Sequence, residues 1–340
     1  MINQTTTTQS QLPILEVTDL KTYFYINEGV LKAVDGISFR INKEETLGLI
    51  GESGCGKSVT AHSILRIIPY PGKVVDGKIL LNLDNNPIDL ASLKATGSEI
   101  RKIRGKEISM VFQEPMTSLS PVHSIGNQIR EAIYLHRTQD KKEAQEIALD
   151  MLARVGIANP KQRINEYPHQ LSGGMRQRAM IAMALCCHPK LLIADEPTTA
   201  LDVTVQAQIL DLIKDLQQEF HMAVLYITHD LGVIAEICSR VAVMYLGRIV
   251  ELGPVRTIFS HPMHPYTMRL LKSRPSVNKK TGHRLESIKG NVPIPLDPLP
   301  QCGFVDRCPQ AFAGCDARIP DLIELEEDHW VRCFLYKKTR

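Results

Sequence analysis

A glycine-rich segment that ends in lysine and serine carries the clearest chemical signal of the sequence. It has the spacing of a phosphate-binding loop, hereafter the P-loop, and it follows the apolar run Thr46–Ile50, which predicts a buried strand. Lys57 would reach the β- and γ-phosphates of a nucleotide, and Ser58 would hold Mg²⁺. The alternative is an ordinary glycine-rich turn before a helix, which would not need these two residues in register. The predicted nucleotide-binding residues are Gly51, Glu52, Ser53, Gly54, Cys55, Gly56, Lys57 and Ser58.

Two adjacent acids are candidates for metal binding and catalysis. The apolar run Leu191–Asp195 predicts a strand that ends in an acid, and Glu196 follows it. An acid at the C-terminal end of a parallel strand faces the crevice where ligands bind in α/β sheets. We therefore expect Asp195 to orient Mg²⁺ through water and Glu196 to polarise the water that attacks the γ-phosphate. The alternative is a strand end capped by two solvated acids.

Two further strand ends carry polar residues that could complete this site. The strand predicted over Ala223–Thr228 is followed by His229, which we expect to sense the γ-phosphate or to hydrogen-bond Glu196. The strand predicted over Glu107–Phe112 is followed by Gln113, whose amide could contact Mg²⁺ or the attacking water. The alternatives are an exposed or structural histidine and an ordinary loop glutamine.

A second glycine-containing segment, Leu171–Met175, lies between the P-loop and the two acids. Ser172 offers a hydroxyl, Gly173 and Gly174 offer bare backbone, and the following residues 176–185 favour a helix because they are rich in alanine, methionine and isoleucine. The positive end of that helix could face phosphate. The alternative is a helix capped by serine without any ligand.

The elements that must position these residues indicate an α/β fold, because a strand, a glycine loop and a helix follow one another and ligands gather at strand ends. Between Gln113 and Leu171 the pattern is mostly helical. The segment Asp140–Val155, for example, places its apolar residues on one helical face. This interval is too short for an inserted long coiled coil, and the sequence contains no internal repeat.

Length and composition exclude several classes of protein. The 340 residues suffice for one large or two modest domains, and the net charge of +3 is too balanced to indicate nucleic acid as the main partner. No run approaches the ~18 apolar residues of a membrane span. The first 13 residues are polar and predict a disordered tail rather than a signal peptide. We therefore expect a cytosolic protein, unless partners hold it at a membrane.

Four cysteines near the C-terminus form a possible metal site. They follow a proline-rich stretch, 272–300, that predicts an extended linker, and gaps of five, six and seventeen residues separate them. Clustered cysteines in a cytosolic chain favour metal over disulfides, although this spacing differs from the paired pattern of zinc ribbons. Zinc, an iron–sulfur cluster and four reduced thiols packed in a small cap are the three possibilities. The four residues are Cys302, Cys308, Cys315 and Cys333.

Taken in order, these segments resemble the nucleotide-binding subunit of an ABC transporter. The resemblance implies a P-loop NTPase core with an antiparallel β subdomain and a helical subdomain. It also implies that two such domains pack head to tail, so that each ATP lies between the P-loop of one and the Leu171–Met175 segment of the other. An aromatic residue near the N-terminus stacks on adenine in this family, and Phe24, flanked by Tyr23 and Tyr25, has the matching position. The residues expected to contact the partner's ATP are Leu171, Ser172, Gly173, Gly174, Met175 and Asp202.

The end of the chain resembles the ATP-binding subunits of oligopeptide/dipeptide importers, through His261–Thr267, the four cysteines and the stretches 113–119, 167–175 and 195–202. The resemblance implies a [4Fe–4S] cluster held by the four cysteines. It further implies two transmembrane permease subunits, a paralogous second ATPase and an extracytoplasmic peptide-binding protein. Such a subunit would hydrolyse ATP at the cytoplasmic face of the cell membrane, as a peripheral protein, to drive peptide uptake.

The resulting domain prediction has a disordered tail at 1–13, an ABC ATPase domain at 14–260 and a C-terminal extension at 261–340, with the helical subdomain at about 114–185. Three alternatives remain at this stage. The same machinery could import nickel or another metal chelate, or the tail could be a redox or iron sensor that gates transport. From another class, a soluble ABC ATPase could act on nucleic acid and use the cysteines as a zinc module.

Overall fold

A computed structural model of the chain describes residues 12–83, 86–114, 118–199, 201–273, 288, 290–298 and 300–336. Residues 1–11 of the predicted tail, most of the predicted linker, residues 115–117 and Ala200 lie outside the described residues. The strands are β1 (Leu15–Ile26), β2 (Gly29–Ile41), β3 (Thr46–Ile50), β4 (Gly72–Leu83), β5 (Asn86–Asp89), β6 (Ile108–Val111), β7 (Leu191–Asp195), β8 (Ala223–Ile227), β9 (Arg240–Tyr245), β10 (Arg248–Pro254), β11 (Ile323–Glu326) and β12 (His329–Val331). The helices are α1 (Lys57–Ile64), α2 (Ser98–Ile103), α3 (Ile125–His136), α4 (Lys141–Arg154), α5 (Pro160–Arg163), α6 (Gly173–Leu185), α7 (Val203–Phe220), α8 (Leu231–Ile237), α9 (Val255–Ser260) and α10 (Pro265–Lys272).

The main sheet has the strand order β11-β12-β10-β9-β3-β8-β7-β6 within the described residues. Its strands from β9 to β6 are parallel, so the loops after β3, β6, β7 and β8 open at the same edge. Each of these strands is buried on both faces, and alternate residues enter two different cores. On β7, for example, Leu191 and Ile193 enter one core while Leu192 and Ala194 enter the other. The sheet therefore lies between two apolar layers that fix its strand ends.

A second, antiparallel sheet with the order β2-β1-β4-β5 shares one of these cores with the main sheet. Its inward residues, such as Leu15, Val17 and Leu20, are buried together with Ala61 and Ile64 of α1. The other core contains residues of the helices α3, α4, α6 and α7. Helix α1, which follows the P-loop, thus packs on one face of the main sheet. Helix α6, which follows the Leu171–Met175 segment, packs on the other face.

Helix α4 spans Lys141–Arg154, close to the amphipathic segment predicted over Asp140–Val155. Asp140 accepts hydrogen bonds from the backbone N–H groups of Lys142 (2.7 Å) and Glu143 (3.1 Å), which caps the first turn. The buried side chains of α4 face α3 and α6. The interval between Gln113 and Leu171 is therefore mostly helical where the structure describes it, as its pattern predicted.

Strands β11 and β12, from the end of the chain, extend the main sheet beyond β10. Glu251 and Leu252 of β10 pair with Val331 and Trp330 of β12, so β12 is joined to the rest of the main sheet through backbone hydrogen bonds. Among the residues with described positions, no helix has both the length and the apolar character needed to cross a bilayer.

Candidate functional site

The P-loop joins β3 to α1 in a conformation that depends on its glycines. Gly51, Gly54 and Gly56 all have positive φ, and a methyl group at Gly56 would lie 2.1 Å from the carbonyl oxygen of Ala33. Lys57 Nζ donates hydrogen bonds to the carbonyl oxygens of Gly51 (2.8 Å) and of the next residue (3.1 Å). The loop is therefore closed around its own lysine, and α1 begins directly behind it.

Ser58 and Asp195 lie together beside this loop. A hydrogen bond from Ser58 lowers the pKa of Asp195, but burial has the larger effect and leaves that pKa above its usual value. Asp195 is 3 % exposed, and its Oδ1 atom has no hydrogen-bond partner. A buried carboxylate oxygen without a donor fits a site that takes a hydrated cation, because a hydrated cation would supply the missing partner. These two residues therefore fit the predicted Mg²⁺ site.

Glu196 accepts hydrogen bonds from side chains that come from three loops. Its Oε1 lies 3.0 Å from His229 Nδ1, and its Oε2 accepts from Gln113 Nε2 (3.1 Å) and from Thr199 Oγ1 (2.9 Å). The backbone N–H of Glu196 also donates to the carbonyl oxygen of Ile227 at the end of β8 (2.9 Å). The structure thus brings together the three residues that the sequence places after β6, β7 and β8.

The electrostatics of Glu196 favour an ionised carboxylate. Burial would raise its pKa, but the hydrogen bonds from His229 and Thr199 outweigh burial, and the net pKa lies below the usual value. Glu196 also has a φ of 46°, in the left-handed region that a residue with a side chain rarely adopts. Strained backbone of this kind persists where neighbouring contacts fix it, and it is concentrated at active sites. The carboxylate is therefore held in one orientation and stays charged at neutral pH.

The Leu171–Met175 segment forms the start of α6. Ser172 caps this helix by accepting a hydrogen bond from the backbone N–H of Met175 (3.4 Å). A methyl group at Gly173 would meet no heavy atom within 4 Å, whereas one at Gly174 would lie 3.1 Å from Val205. Gly173 is thus open to an approaching molecule, while the side chain of Leu171 is buried in the core.

Asp202 occupies the same kind of position at the start of α7. It accepts a hydrogen bond from the backbone N–H of Val205 (2.9 Å), so it acts as the helix cap. Val205 in turn lies against Gly174 at the start of α6. The predicted partner-facing residues on the two helices are therefore neighbours.

The three aromatic residues near the N-terminus have different surroundings. Phe24 is partly buried and packs over Gly72, where a methyl group would lie 2.6 Å from its ring. Tyr23 donates a hydrogen bond to Asp35 Oδ1 (2.6 Å), and Tyr25 is 48 % exposed. Gly72 covers part of the Phe24 ring, and adenine stacking by this residue stays a prediction.

The four C-terminal cysteines line one small cavity together with apolar side chains. Its volume of about 10 Å³ is the room that roughly one water molecule needs. Burial raises the pKa of Cys302 and Cys308, and raises that of Cys333 to about 11. A cavity of this size has no room for the four iron and four sulfide ions of a [4Fe–4S] cluster.

The prediction of a [4Fe–4S] cluster is therefore corrected. All four cysteines are free, and no group of three or more His, Cys, Asp or Glu side chains in the described part of the chain is arranged to hold a metal ion. The zinc alternative finds no support in these residues either. The physical reason is the size of the cavity between the cysteines, which has room for about one water molecule and not for a cluster of eight ions.

Several residues of the site were not predicted from the sequence. Thr199 contacts Glu196 because a turn returns the chain, with the N–H of Thr199 donating to the carbonyl oxygen of Glu196 (3.1 Å). A hydroxyl three residues after an acid is the sequence signal that could have revealed it. Tyr266 and Arg307 both contact Glu52 of the P-loop across more than two hundred residues, and no local pattern signals that contact.

Comparisons with known proteins identify the family of the chain. A family model described as ABC transporter matches residues 34–199, and one described as the C-terminal region of the oligopeptide/dipeptide transporter matches residues 250–315. A probable peptide ABC transporter ATP-binding protein, y4tR of Sinorhizobium fredii, is 51% identical over 94% of both chains. From Bacillus subtilis, the oligopeptide transport ATP-binding protein AppD is 51% identical over 96% of this chain and 97% of its own. The dipeptide transport ATP-binding protein DppD of the same organism is 48% identical over 95% and 94%.

Among solved structures, the ATP-binding cassette MJ0796, a dimer in a post-hydrolysis state bound to ADP and Pi, is 27% identical with a TM-score of 0.62. The match covers 71% of this chain and 99% of that one. The fold and the family resemblance predicted from the sequence are thereby confirmed, whereas the names of the three curated relatives mention no iron–sulfur cluster. The chain belongs to the ATP-hydrolysing subunits of ABC transporters, in the group whose C-terminal region is of the oligopeptide/dipeptide transporter type.

Proposed function

We propose that this subunit drives the uptake of dipeptides and oligopeptides by binding and hydrolysing ATP. The observation that carries the proposal is the arrangement around Glu196, where Gln113, Thr199 and His229 hold one ionised carboxylate beside the P-loop. In this proposal Glu196 polarises the attacking water and accepts its proton. Gln113 and His229 orient the carboxylate of Glu196 toward the γ-phosphate. The peptide substrate is supported by the names of the curated relatives.

The nucleotide is assigned to the residues around the P-loop. Backbone N–H groups from Gly51 to Ser58 would surround the phosphates, Lys57 would neutralise their charge, and Ser58 and Asp195 would hold Mg²⁺, with Gln113 as a further ligand. When bound, Mg²⁺ neutralises the charge that develops on the phosphate oxygens. Phe24 is the proposed contact for adenine.

The second half of each ATP site is assigned to a partner subunit. Gly173 is open to approach and Ser172 caps the helix behind it, so this segment can present backbone N–H groups and a helix start to phosphate bound elsewhere. The solved dimer of MJ0796 with ADP and Pi supports a two-subunit arrangement. We propose a paralogous ATPase as the partner, with Leu171–Met175 and Asp202 near its ATP.

The membrane partners are proposed by family membership. Two permease subunits and an extracytoplasmic peptide-binding protein would complete the importer, with this chain at the cytoplasmic face as a peripheral protein. Helices α3 to α6, within the proposed helical subdomain at about 114–185, would rest on a permease. The proposed domain division keeps the ATPase at 14–260 and the C-terminal extension at 261–340.

Reconstitution tests this function directly. The complete complex in liposomes, with the peptide-binding protein, should take up labelled dipeptide and oligopeptide only when ATP is present. Lys57→Ala removes the ammonium group that would contact the phosphates, so uptake and ATP hydrolysis should fall by about 100-fold or more. Uptake of a nickel chelate without peptide uptake would contradict the proposed substrate, and unchanged ATP binding in Lys57→Ala would contradict the assigned ATP site.

A further inference from the structure

The C-terminal extension (residues 261–340) contacts the P-loop through an arginine. Arg307 donates from Nη1 to Glu52 Oε2 (2.8 Å) and from Nη2 to Glu52 Oε1 (3.0 Å), which is a two-point interaction between a guanidinium and a carboxylate. The Arg307 side chain is only 7 % exposed. Because the pair is shielded from water on the arginine side, it is a stronger constraint than an ion pair on an open surface.

The same P-loop residue is held a second time, through its main chain. The backbone N–H of Glu52 donates to the hydroxyl oxygen of Tyr266 (2.9 Å), and Tyr266 is fully buried in α10. Tyr266 belongs to His261–Thr267, one of the segments that resemble the importer subunits. Tyr266 is not among the residues assigned to the ATP site above. Two separate parts of the extension thus converge on one residue at the start of the P-loop.

Buried aromatic rings fix both contacting residues. Tyr245, Tyr266 and Phe304 form a cluster with ring centroids 4.6 to 5.4 Å apart. The guanidinium of Arg307 lies 5.8 Å from the centroid of the Tyr245 ring, and its Nη1 donates to the Tyr245 hydroxyl (3.2 Å). Neither Tyr266 nor Arg307 can therefore move far without disturbing this cluster.

Glu52 connects the extension to the phosphate-binding groups themselves. Its carbonyl oxygen accepts a hydrogen bond from Lys57 Nζ (3.1 Å), so the residue held by Tyr266 and Arg307 also holds the lysine of the P-loop. A loop that is ordered before its ligand arrives loses less conformational entropy on binding, and it binds more tightly for that reason.

We propose that Tyr266 and Arg307 are positioning residues that hold the P-loop in its phosphate-binding conformation, so that ATP affinity depends on the C-terminal extension. The inference rests on the proposed ATP site. It gives the extension a role in ATP binding that neither the family match nor the cysteines supply.

The test uses the conservative variants Tyr266→Phe and Arg307→Lys in the full chain. Each keeps most of the packing but removes one contact to Glu52, so ATP affinity should weaken by about tenfold. The rate at saturating ATP in the assembled complex should change by less than about twofold, because Glu196 and its partners are untouched. Arg318→Ala is the matched control, since Arg318 lies in the same extension, exposed, with its guanidinium over the Phe334 ring.

Hydrogen exchange without nucleotide separates this inference from the proposed function. Peptides covering 51–58 should exchange faster in Tyr266→Phe and Arg307→Lys than in wild type and in Arg318→Ala. Unchanged exchange together with wild-type ATP affinity in both variants would overturn the inference. A lower rate at saturating ATP with unchanged affinity would also overturn it, because that is the result of a general structural defect. A wild-type protein that binds no ATP would refute the proposed ATP site, whereas the exchange measurement would still decide whether the extension holds the loop.

Discussion

At the scale of single residues, Glu196 shows how a weak general base can be adapted to its task. Its lowered pKa keeps it ionised, and its partners use both carboxylate oxygens to fix its direction. A charged acceptor in a fixed position can orient a water molecule even though its basicity is low. The positive φ of this residue adds to the constraint, because the side chain leaves the strand end at an angle that a regular continuation of β7 would not give.

The substitution Glu196→Gln tests this role. It preserves the size of the side chain but removes the negative charge, so the rate of ATP hydrolysis should fall by about 10²- to 10⁴-fold. ATP binding should remain, because the P-loop contacts of Lys57 do not involve Glu196. Steady-state hydrolysis and equilibrium ATP binding, measured on the assembled complex, check both parts. Thr199→Ala removes only one of the hydrogen bonds and should have a smaller effect, and a Glu196→Gln variant that hydrolyses at the wild-type rate would refute the assignment.

At the scale of elements, the strands and their ends could be predicted because burial leaves a simple pattern. Thr46–Ile50 is buried throughout, so the predicted strand and β3 coincide. The closeness of Gln113, Glu196 and His229 could be predicted because these residues follow parallel strands, whose C-terminal ends lie at the same edge of a sheet. The contact between Arg307 and Glu52 could not be predicted, since 255 residues separate them and only the docking of the extension brings them together.

The cysteines show the opposite case. Their clustering in the sequence indicated that they lie close together, and they do line one cavity. The spacing of the cysteines, however, contains no information about the walls of that cavity. Burial raises the pKa of Cys302, Cys308 and Cys333. The prediction of a cluster was wrong because the space between the cysteines is only about that of one water molecule, and the spacing of cysteines along the sequence does not report the size of that space.

Helix α10 provides an element whose stability should depend on pH. Its N-cap residue, His264, is buried, and the Nδ1 of His264 accepts a hydrogen bond from the backbone N–H of Tyr266 (3.0 Å). Burial lowers the pKa of His264 to about 4, although the carboxylate of Glu251 and a hydrogen bond with the backbone of Arg332 act in the other direction; the charge of Arg332 lowers the pKa slightly further. His329, which hydrogen-bonds Glu251 at 2.8 Å, also faces this network.

The sign of the effect follows from the two pKa values. Between pH 6.5 and about 4, His264 binds a proton in the unfolded chain but not in the folded chain. The contribution of neutral, buried His264 to the free energy of unfolding is therefore fully present above pH 6.5 and decreases as the pH falls toward 4. The loss attributable to His264 should reach about 3 kcal/mol. Thermal denaturation of wild type and His264→Asn across this range measures it, since Asn can accept the same hydrogen bond without titrating. His261→Asn, at an exposed neighbouring position, should keep the wild-type slope, and an equal slope in His264→Asn would contradict the assignment.

At the scale of the whole molecule, the two glycine-containing segments, the P-loop and Leu171–Met175, differ in their surroundings. The P-loop is closed around Lys57 and connected to the C-terminal extension, whereas Gly173 at the start of α6 has open space beside it. In the proposed arrangement, both the P-loop and the C-terminal extension support the subunit's own ATP site, and the segment that would complete a neighbour's site stays accessible. A subunit arranged in this way can bind ATP alone but is expected to need a partner for hydrolysis.

The substitution Gly173→Trp separates these two abilities. No heavy atom lies within 4 Å of a methyl group at this position, so the indole should be accepted by the isolated subunit without loss of folding. The subunit's own ATP affinity should stay within about twofold of wild type. In the assembled complex the indole should keep the partner's nucleotide away from Ser172 and the start of α6, and hydrolysis should fall by about 100-fold, because small misplacements of reacting groups have effects of that size. Glu99→Trp, on the exposed surface of α2, is the control for adding a bulky side chain. Hydrolysis at the wild-type rate in Gly173→Trp would show that this segment does not complete an ATP site.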